Sequence, residues 1–222
     1  MLDDPSFRQG IRDTTLIFFA VAAFGVAYGV LAVDVGLSPW LTLISSVIIV
    51  SGAAQFAMVG LLAAGPVPVL VAATGLGLRH LPMSATLARL IGPQPLRTRL
   101  RLAFILVDET FGLSIRAANA GIDNLVAYKS AADLMLYSGF LIGTGIGAWF
   151  GTAIDPDAMG VGVLFGLLFL GLAAPMVNRR RDWIVVTAAV AATLIATVTL
   201  PPAWQVTAAA VAASFVGVMF GE

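Results

Sequence analysis

The chain has 222 residues, of which 59% are apolar and only 11% charged, against about 25% charged in an average soluble domain. It has no cysteine, so neither disulfides nor thiolate metal sites are available, and the single histidine, His80, excludes a His-rich metal cluster. Twelve basic and twelve acidic residues cancel, which leaves no net field for nucleic acid and makes a soluble nucleic-acid binder or cytosolic enzyme a poor reading.

In chain order, the short polar stretch from Met1 to Gly10 carries Asp3, Asp4 and Arg8. The apolar run after it has the length of a membrane span rather than of a cleavable signal peptide. Apolar segments follow at Thr14–Val33, Trp40–Ala64, Pro66–Ile91, Leu102–Asn119, Asp133–Ile154, Gly160–Val177, Trp183–Leu200 and Ala203–Phe220. Most approach the ~20 residues that cross a hydrocarbon core as a helix. They lack the alternation of a membrane barrel, and backbone polar groups in lipid must be paired internally, so helices remain. The expectation is an all-α polytopic bundle of about seven or eight hydrophobic segments, in one domain over residues 1–222. Asp34–Pro39, Gly65–Val67, Asp155–Met159 and Pro201–Pro202 read as tight turns, and Gly92–Arg101 and Ala120–Ala132 as the longer connections.

Gly139, Gly143, Gly147 and Gly151 recur every four residues. On a helix this makes a groove free of side chains, where another backbone can approach closely. Gly25 with Gly29, Gly162 with Gly166, and Gly217 with Gly221 repeat the spacing. Such a face serves static packing, a sliding helix or a partner subunit. A faint self-similarity relates Gly25–Ala64 to Gly139–Ala174, as in the internal repeats of transporters.

The basic residues pose a parity problem. Arg8 and Arg12, then Arg97, Arg99 and Arg101, then Arg179, Arg180 and Arg181 should all face the cytoplasm. Yet three apolar segments separate each group from the next, and an odd number of crossings cannot return to one side. Either one basic cluster breaks the rule, or at least one segment in each set does not span fully; broken or re-entrant helices would resolve the parity, with Pro66–Ile91 and Leu102–Asn119 the suspects because both carry internal charges.

Those charges are the main functional signal. Arg79 and His80 lie inside the third segment, Asp108 and Glu109 inside the fourth. Each costs ~2.5–3.5 kcal/mol at bilayer depth unless it is paired or faces water. Pairing Arg79 with Asp108 or Glu109 is the economical arrangement. Gly75 and Gly77 before the Arg-His pair and Pro82 after it predict a kinked or unwound helix, whose free backbone groups can hold a zwitterion. The alternative is a buried salt bridge beside a proline kink. His80 is a candidate proton carrier, as is either acid. Ser51 and Gln55, four apart, share a helix face that either presents polar groups to a solute or makes interhelical hydrogen bonds.

Taken together, Phe24-Gly-Val-Ala-Tyr-Gly29, Ser51-Gly-Ala-Ala-Gln-Phe56, Leu78-Arg-His-Leu-Pro-Met83, Val107-Asp-Glu-Thr-Phe111 and the basic run Asn178-Arg-Arg-Arg-Asp-Trp183 resemble the AzlC-like large subunit of the bacterial branched-chain amino-acid exporters, over nearly the whole chain. The family often has asparagine two positions before the arginine, where this chain has Gly77. The resemblance implies outward movement of valine, leucine, isoleucine and sometimes methionine. It also implies a small AzlD-like membrane partner and a multi-pass location in the bacterial inner membrane. Physically, an acid at 108 or 109 suits the substrate ammonium, and Arg79 or free N–H groups suit its carboxylate. No phosphate-binding loop, nucleophile motif or metal-ligand set is present, so a proton-driven secondary transporter without cofactor, not an enzyme, is expected. The competing readings are a transporter of another small solute on the same scaffold and a non-transporting assembly subunit. The site residues expected from the sequence are Ser51, Gln55, Arg79, His80, Asp108 and Glu109.

Overall fold

The computed structural model describes residues 3–151, 170, 177 and 179–220. Among them the chain is helical and without strands: an all-α membrane bundle. Helices α1 (Pro5–Asp34), α2 (Pro39–Ile48), α3 (Gly52–Leu61), α4 (Pro66–Gly77), α5 (His80–Ile91), α6 (Leu96–Phe104), α7 (Asp108–Asn119), α8 (Leu125–Phe150), α9 (Arg180–Thr199) and α10 (Pro202–Phe220) follow in order, with a short 3-10 turn at Leu62–Ala64. By length and composition α1, α8 and α9 are able to cross a membrane. The predicted segment Gly160–Val177, the Asp155–Met159 turn and the Gly162/Gly166 pair lie outside the described residues, apart from the isolated positions 170 and 177, as does Gly221.

The chain divides into two compact units, residues 1–55 with 77–155, and residues 56–76 with 156–222. In the second, α9 and α10 pack together, and Gln205 Nε2 donates to the Leu200 carbonyl at 3.0 Å, satisfying a carbonyl freed where α9 ends. Large apolar side chains such as Leu194, Val198 and Phe215 lie exposed on this pair, as a lipid-facing surface requires.

The first unit is organised by α1 and α8. Asp4 caps α1 by accepting from Ser6 N at 2.9 Å, and Pro5 fills the first turn, where no N–H is needed. The helix closes at Gly36, whose φ of 96° and N–H to Val33 O (2.9 Å) turn the chain. Asn124 caps α8 through Ala127 N at 3.0 Å. The two helices run parallel: Gly10 abuts Tyr128 and Ala131, Phe18 abuts Gly139, Gly25 abuts Gly143 and Thr144, and Gly151 abuts Val30. A methyl on Gly25 would stand 2.8 Å from Thr144 N, and one on Gly29 2.6 Å from Ala148 N. The four-residue glycine spacing therefore serves backbone-to-backbone packing in this unit.

Three of the predicted apolar segments are broken. Segment two divides at Ile49–Ser51 into α2 and α3, segment three at Leu78–Arg79 into α4 and α5, and segment four at Ile105–Val107 into α6 and α7. The predicted connections also change. Gly92–Arg101 is not all loop, because α6 starts at Leu96 among the good helix formers Leu and Arg. Ala120–Ala132 is not all loop either, because the Asn124 cap starts α8 at Leu125, so Lys129 lies on a helix.

These breaks resolve the first parity problem. Ser6 Oγ accepts from Asn124 N at 3.2 Å, so α1 and α8 start at the same end. Arg101 Nη2 donates to Ser130 Oγ at 2.9 Å, which places the arginines of α6 at that end too. At the other end of the pair α6–α7, Leu113 and Ala117 pack on Tyr128, and Arg116 lies 3.9 Å from Asp13. Hence α6 and α7 form a re-entrant hairpin that enters and leaves on one side. Residues 35–95 return the chain to its starting side, so segments two and three together make one net crossing. The opposite end is marked by Trp40 against Trp149, edge to face at 5.0 Å, as expected of aromatic residues at a membrane interface.

Candidate functional site

The α6–α7 break lies against the middle of α8, and so does the break between α2 and α3. At the first, Val107 is extended (φ −127°, ψ 163°) and Phe111 N bonds to Val107 O at 2.9 Å to start α7. At the second, Ser51 Oγ accepts weakly from Ala54 N at 3.4 Å at the start of α3. Ser51, Gly52, Ile105 and Val107 line one cavity of about 50 Å³, which Asp133 and Phe140 of α8 complete. Asp133 is eight residues into α8, about 12 Å at 1.5 Å per residue. The cavity is thus at depth, bordered by the C-terminal ends of α2 and α6 and the N-terminal ends of α3 and α7. Helix N-terminal ends favour anions and C-terminal ends cations, the combination a zwitterion needs. Its volume suffices for a few waters, not for an amino acid.

Gln55 is fully buried and acts on α2. Its amide nitrogen donates to Ile49 O at 3.0 Å, and its oxygen accepts from Ser46 N (3.3 Å) and Ser46 Oγ (2.9 Å), the orientation that satisfies both ends. The Ile49 carbonyl is one that the end of α2 would otherwise leave orphaned. With the Ser46 proton committed to Gln55, Thr144 Oγ1 is the donor of their 3.1 Å bond. Ser45 Oγ donates to Thr42 O at 2.7 Å and so receives its 2.7 Å bond from Tyr28 OH. Tyr137 OH donates to Val47 O at 3.0 Å. Hydroxyls from α1 and α8 thereby anchor the half-helix α2, and Gln55 joins α3 to it. Gln55 faces this network, whereas Ser51 faces the cavity.

Arg79 Nη2 pairs with Asp108 Oδ2 at 3.0 Å, the two side chains 36% and 50% exposed. Neither lies in a helix interior: Arg79 is in the turn between α4 and α5, and Asp108 opens α7. Asp108 and Glu109 occupy the first turn of α7, where the helix dipole favours negative charge. This placement removes much of the cost expected from apolar helices carrying four charges. The Leu78–Arg79 break is a tight turn, with Leu81 N bonded to Leu78 O at 3.1 Å. Pro82 falls in the first turn of α5, where its missing N–H costs nothing.

His80 Nδ1 lies 3.0 Å from Gly77 O. A carbonyl only accepts, so Nδ1 is the donor of this bond. Nε2 and Arg79 Nε are both buried without a hydrogen-bond partner among the described residues. Among the described residues nothing lies within 4 Å of a methyl placed on Gly77.

The sequence reading missed the most buried charges of the unit. Lys129 Nζ lies 2.7 Å and 2.6 Å from the two Asp133 carboxylate oxygens, with side chains 0% and 3% exposed. Their four-residue spacing, between Ala127, Ala131 and Ala132, was the available signal. Assigning Lys129 to a loop hid it. Among the described residues no cluster of His, Cys, Asp or Glu suits a metal ion.

The profile of the AzlC protein family matches residues 17–154. An uncharacterized membrane protein of Archaeoglobus fulgidus is 29% identical over 178 residues, covering 79% of this chain and 78% of its own. The inner membrane protein YgaZ of Escherichia coli K12 is 28% identical over 201 residues, covering 84% and 80%. No solved structure matches. The matched region runs from α1 through α8 and takes in the re-entrant hairpin and all six predicted site residues, and the chain is therefore a membrane protein of the AzlC family.

Proposed function

We propose that this protein is the large subunit of a secondary transporter in the bacterial inner membrane, exporting branched-chain amino acids in exchange for protons together with a small AzlD-like subunit. One observation carries the reading: two helix breaks meet beside Asp133 at depth in the first unit, an arrangement of half-helices found at transporter binding sites. Such exposed backbone is tolerated at membrane depth where it lines a cavity. Asp108, paired with Arg79 at one break and half exposed, is an acceptor for the substrate ammonium. Arg79 Nε and the N-terminal amides of α3 and α7 are donors for its carboxylate. His80, whose Nε2 is buried without a hydrogen-bond partner among the described residues, is a proton carrier within the same turn. The Arg97–Arg101 face of the bundle is cytoplasmic by the positive-inside rule.

The test is labelled-valine flux in vesicles holding this chain with and without the small subunit, under an imposed pH gradient. Gradient-driven flux that falls at least tenfold in Asp108→Asn supports the reading. Absence of flux for valine, leucine, isoleucine and methionine, with the small subunit present, moves the assignment to another solute or to an assembly subunit. Loss of subunit assembly in Asp108→Asn, rather than of flux, favours the latter.

A further inference from the structure

A second cavity, about 240 Å³, lies between α5, α6 and α8. Gly92 and Gln94 line it in the α5–α6 turn, at the end of the unit that carries Arg97, Arg99 and Arg101. Its walls are mostly apolar, Leu87, Leu102 and Leu106 among them, and Lys129 also lines it. Asp133 lines the other, deeper cavity. The two members of one ion pair, one turn apart on α8, thus face different cavities. Lys129 is turned to the outer one and Asp133 to the inner one.

A pair that serves stability alone does so poorly in such a place, because removing two charges from water costs about what their attraction returns. Here the carboxylate receives both its oxygens' contacts from a single ammonium. It also faces the Thr110 hydroxyl of α7, and Arg101 of α6 is a further cation near it. The arrangement reproduces, inside the protein, the two charges of an amino-acid zwitterion.

Resting on the proposed transport reading, we propose that Lys129 and Asp133 form a charge-exchange gate between the two cavities, opened when the ammonium and carboxylate of an α-amino acid replace Lys129 on Asp133 and Asp133 on Lys129. The exchange conserves charge, so neither buried partner is left uncompensated as the solute passes. An uncharged solute, or one bearing only one of the two groups, cannot open it.

Two arms test this. In the first, Lys129→Met with Asp133→Asn removes both charges and nearly keeps both volumes, a change that spares folding where a single substitution would strand a buried charge. The expected result is an unchanged melting temperature with valine flux reduced at least a hundredfold. Flux within threefold of the unsubstituted protein overturns the gate.

The second arm needs no solute and therefore separates the gate from the amino-acid reading. The chain has no cysteine, so Ser51→Cys is a unique reporter in the inner cavity. Its labelling by a membrane-impermeant thiol reagent, applied to the Arg97–Arg101 side of oriented vesicles, is compared with and without Lys129→Ala and Asp133→Ala together. Labelling at least ten times faster in the double-alanine background supports a seal made by the pair, whatever solute is carried. An unchanged rate overturns it. If the second arm succeeds while valine flux is absent in the unsubstituted protein, the amino-acid reading fails and the gate between the cavities stands.

Discussion

Arg101 Nη2 donates to Ser130 Oγ at 2.9 Å, fixing the basic end of α6 to the first turns of α8. Since α1 and α8 start together, single cysteines at Gln9, Arg97 and Asn119 should react with an impermeant maleimide from one side of the membrane, and Val35→Cys from the other. A fully crossing α6–α7 would instead place Arg97 and Asn119 on opposite sides. Scoring the four variants in oriented vesicles decides between the two.

Gly143→Ala should destabilise the protein, because the new methyl would run into the Ala22 carbonyl and stand 3.0 Å from Val26 N, both backbone groups that cannot swing aside. Overpacking of this kind costs about 1–3 kcal/mol. Gly145→Ala, two residues away with nothing within 4 Å among the described residues, should be neutral or stabilise by up to ~1 kcal/mol through helix propensity. Thermal melting of both variants in detergent gives the comparison. Equal effects would show that the α1–α8 seam is looser than its glycine contacts indicate.

Gln55→Leu should cost about 1–3 kcal/mol, the penalty for leaving buried partners unsatisfied: the Ile49 carbonyl and Ser46 N both lose their bonds. Hydrogen exchange should quicken at the end of α2 first. If exchange there is unaltered, Gln55 does not hold the half-helix.

Arg79→Gln with Asp108→Asn should shift stability by no more than ~1 kcal/mol, because the pair is partly exposed. The same double variant should lose valine flux. A large loss of stability with flux intact per folded molecule would make the pair structural.

Asp4 answers to pH. Desolvation raises its pKa, but hydrogen bonds from Ser6 and Asn124 outweigh this and hold it below the ordinary 3.8. The carboxylate therefore binds its proton less readily folded than unfolded. The stability it gives the start of α1 is complete above pH 3.8 and is lost as the pH falls through its lower folded value. Amide exchange at Ser6 and Phe7 should accelerate over that acidic range in the unsubstituted protein, and the acceleration should vanish in Asp4→Ala.

Apolar runs of span length disclosed the bundle, and charges within them disclosed two of the breaks. The tight turn at Arg79 could be read from Gly75, Gly77 and Pro82 because those residues act locally. The break at Ile49–Ser51 was hidden in an apolar stretch: what marks it is Gln55 turning back to cap α2, a tertiary contact. By spacing Ser51 and Gln55 should share a helix face, yet Ser51 lies in the break just before α3 and faces a cavity, whereas Gln55 lies inside α3 and faces a hydrogen-bond network, since the partner elements set each environment. Lys129 and Asp133 escaped notice for a different reason. Their pairing is local, but their depth depends on α8 beginning at Asn124 and on α6 and α7 folding in beside it.

The parallel seam of α1 and α8 also bears on biosynthesis. About 90 residues separate the end of α1 from the start of α8, and at ~5–20 residues per second their synthesis takes roughly 5 to 20 seconds. Throughout that interval α1 presents Gly10, Gly25 and Gly29 to lipid with its own mate still inside the ribosome or untranslated. The half-helices α2, α6 and α7, which pack on α8, must therefore enter the bilayer before the scaffold that orders them exists. Slowing translation upstream of Leu125 would lengthen this exposure, making nascent-chain stability, rather than the finished fold, the point at which synonymous changes in that stretch take effect.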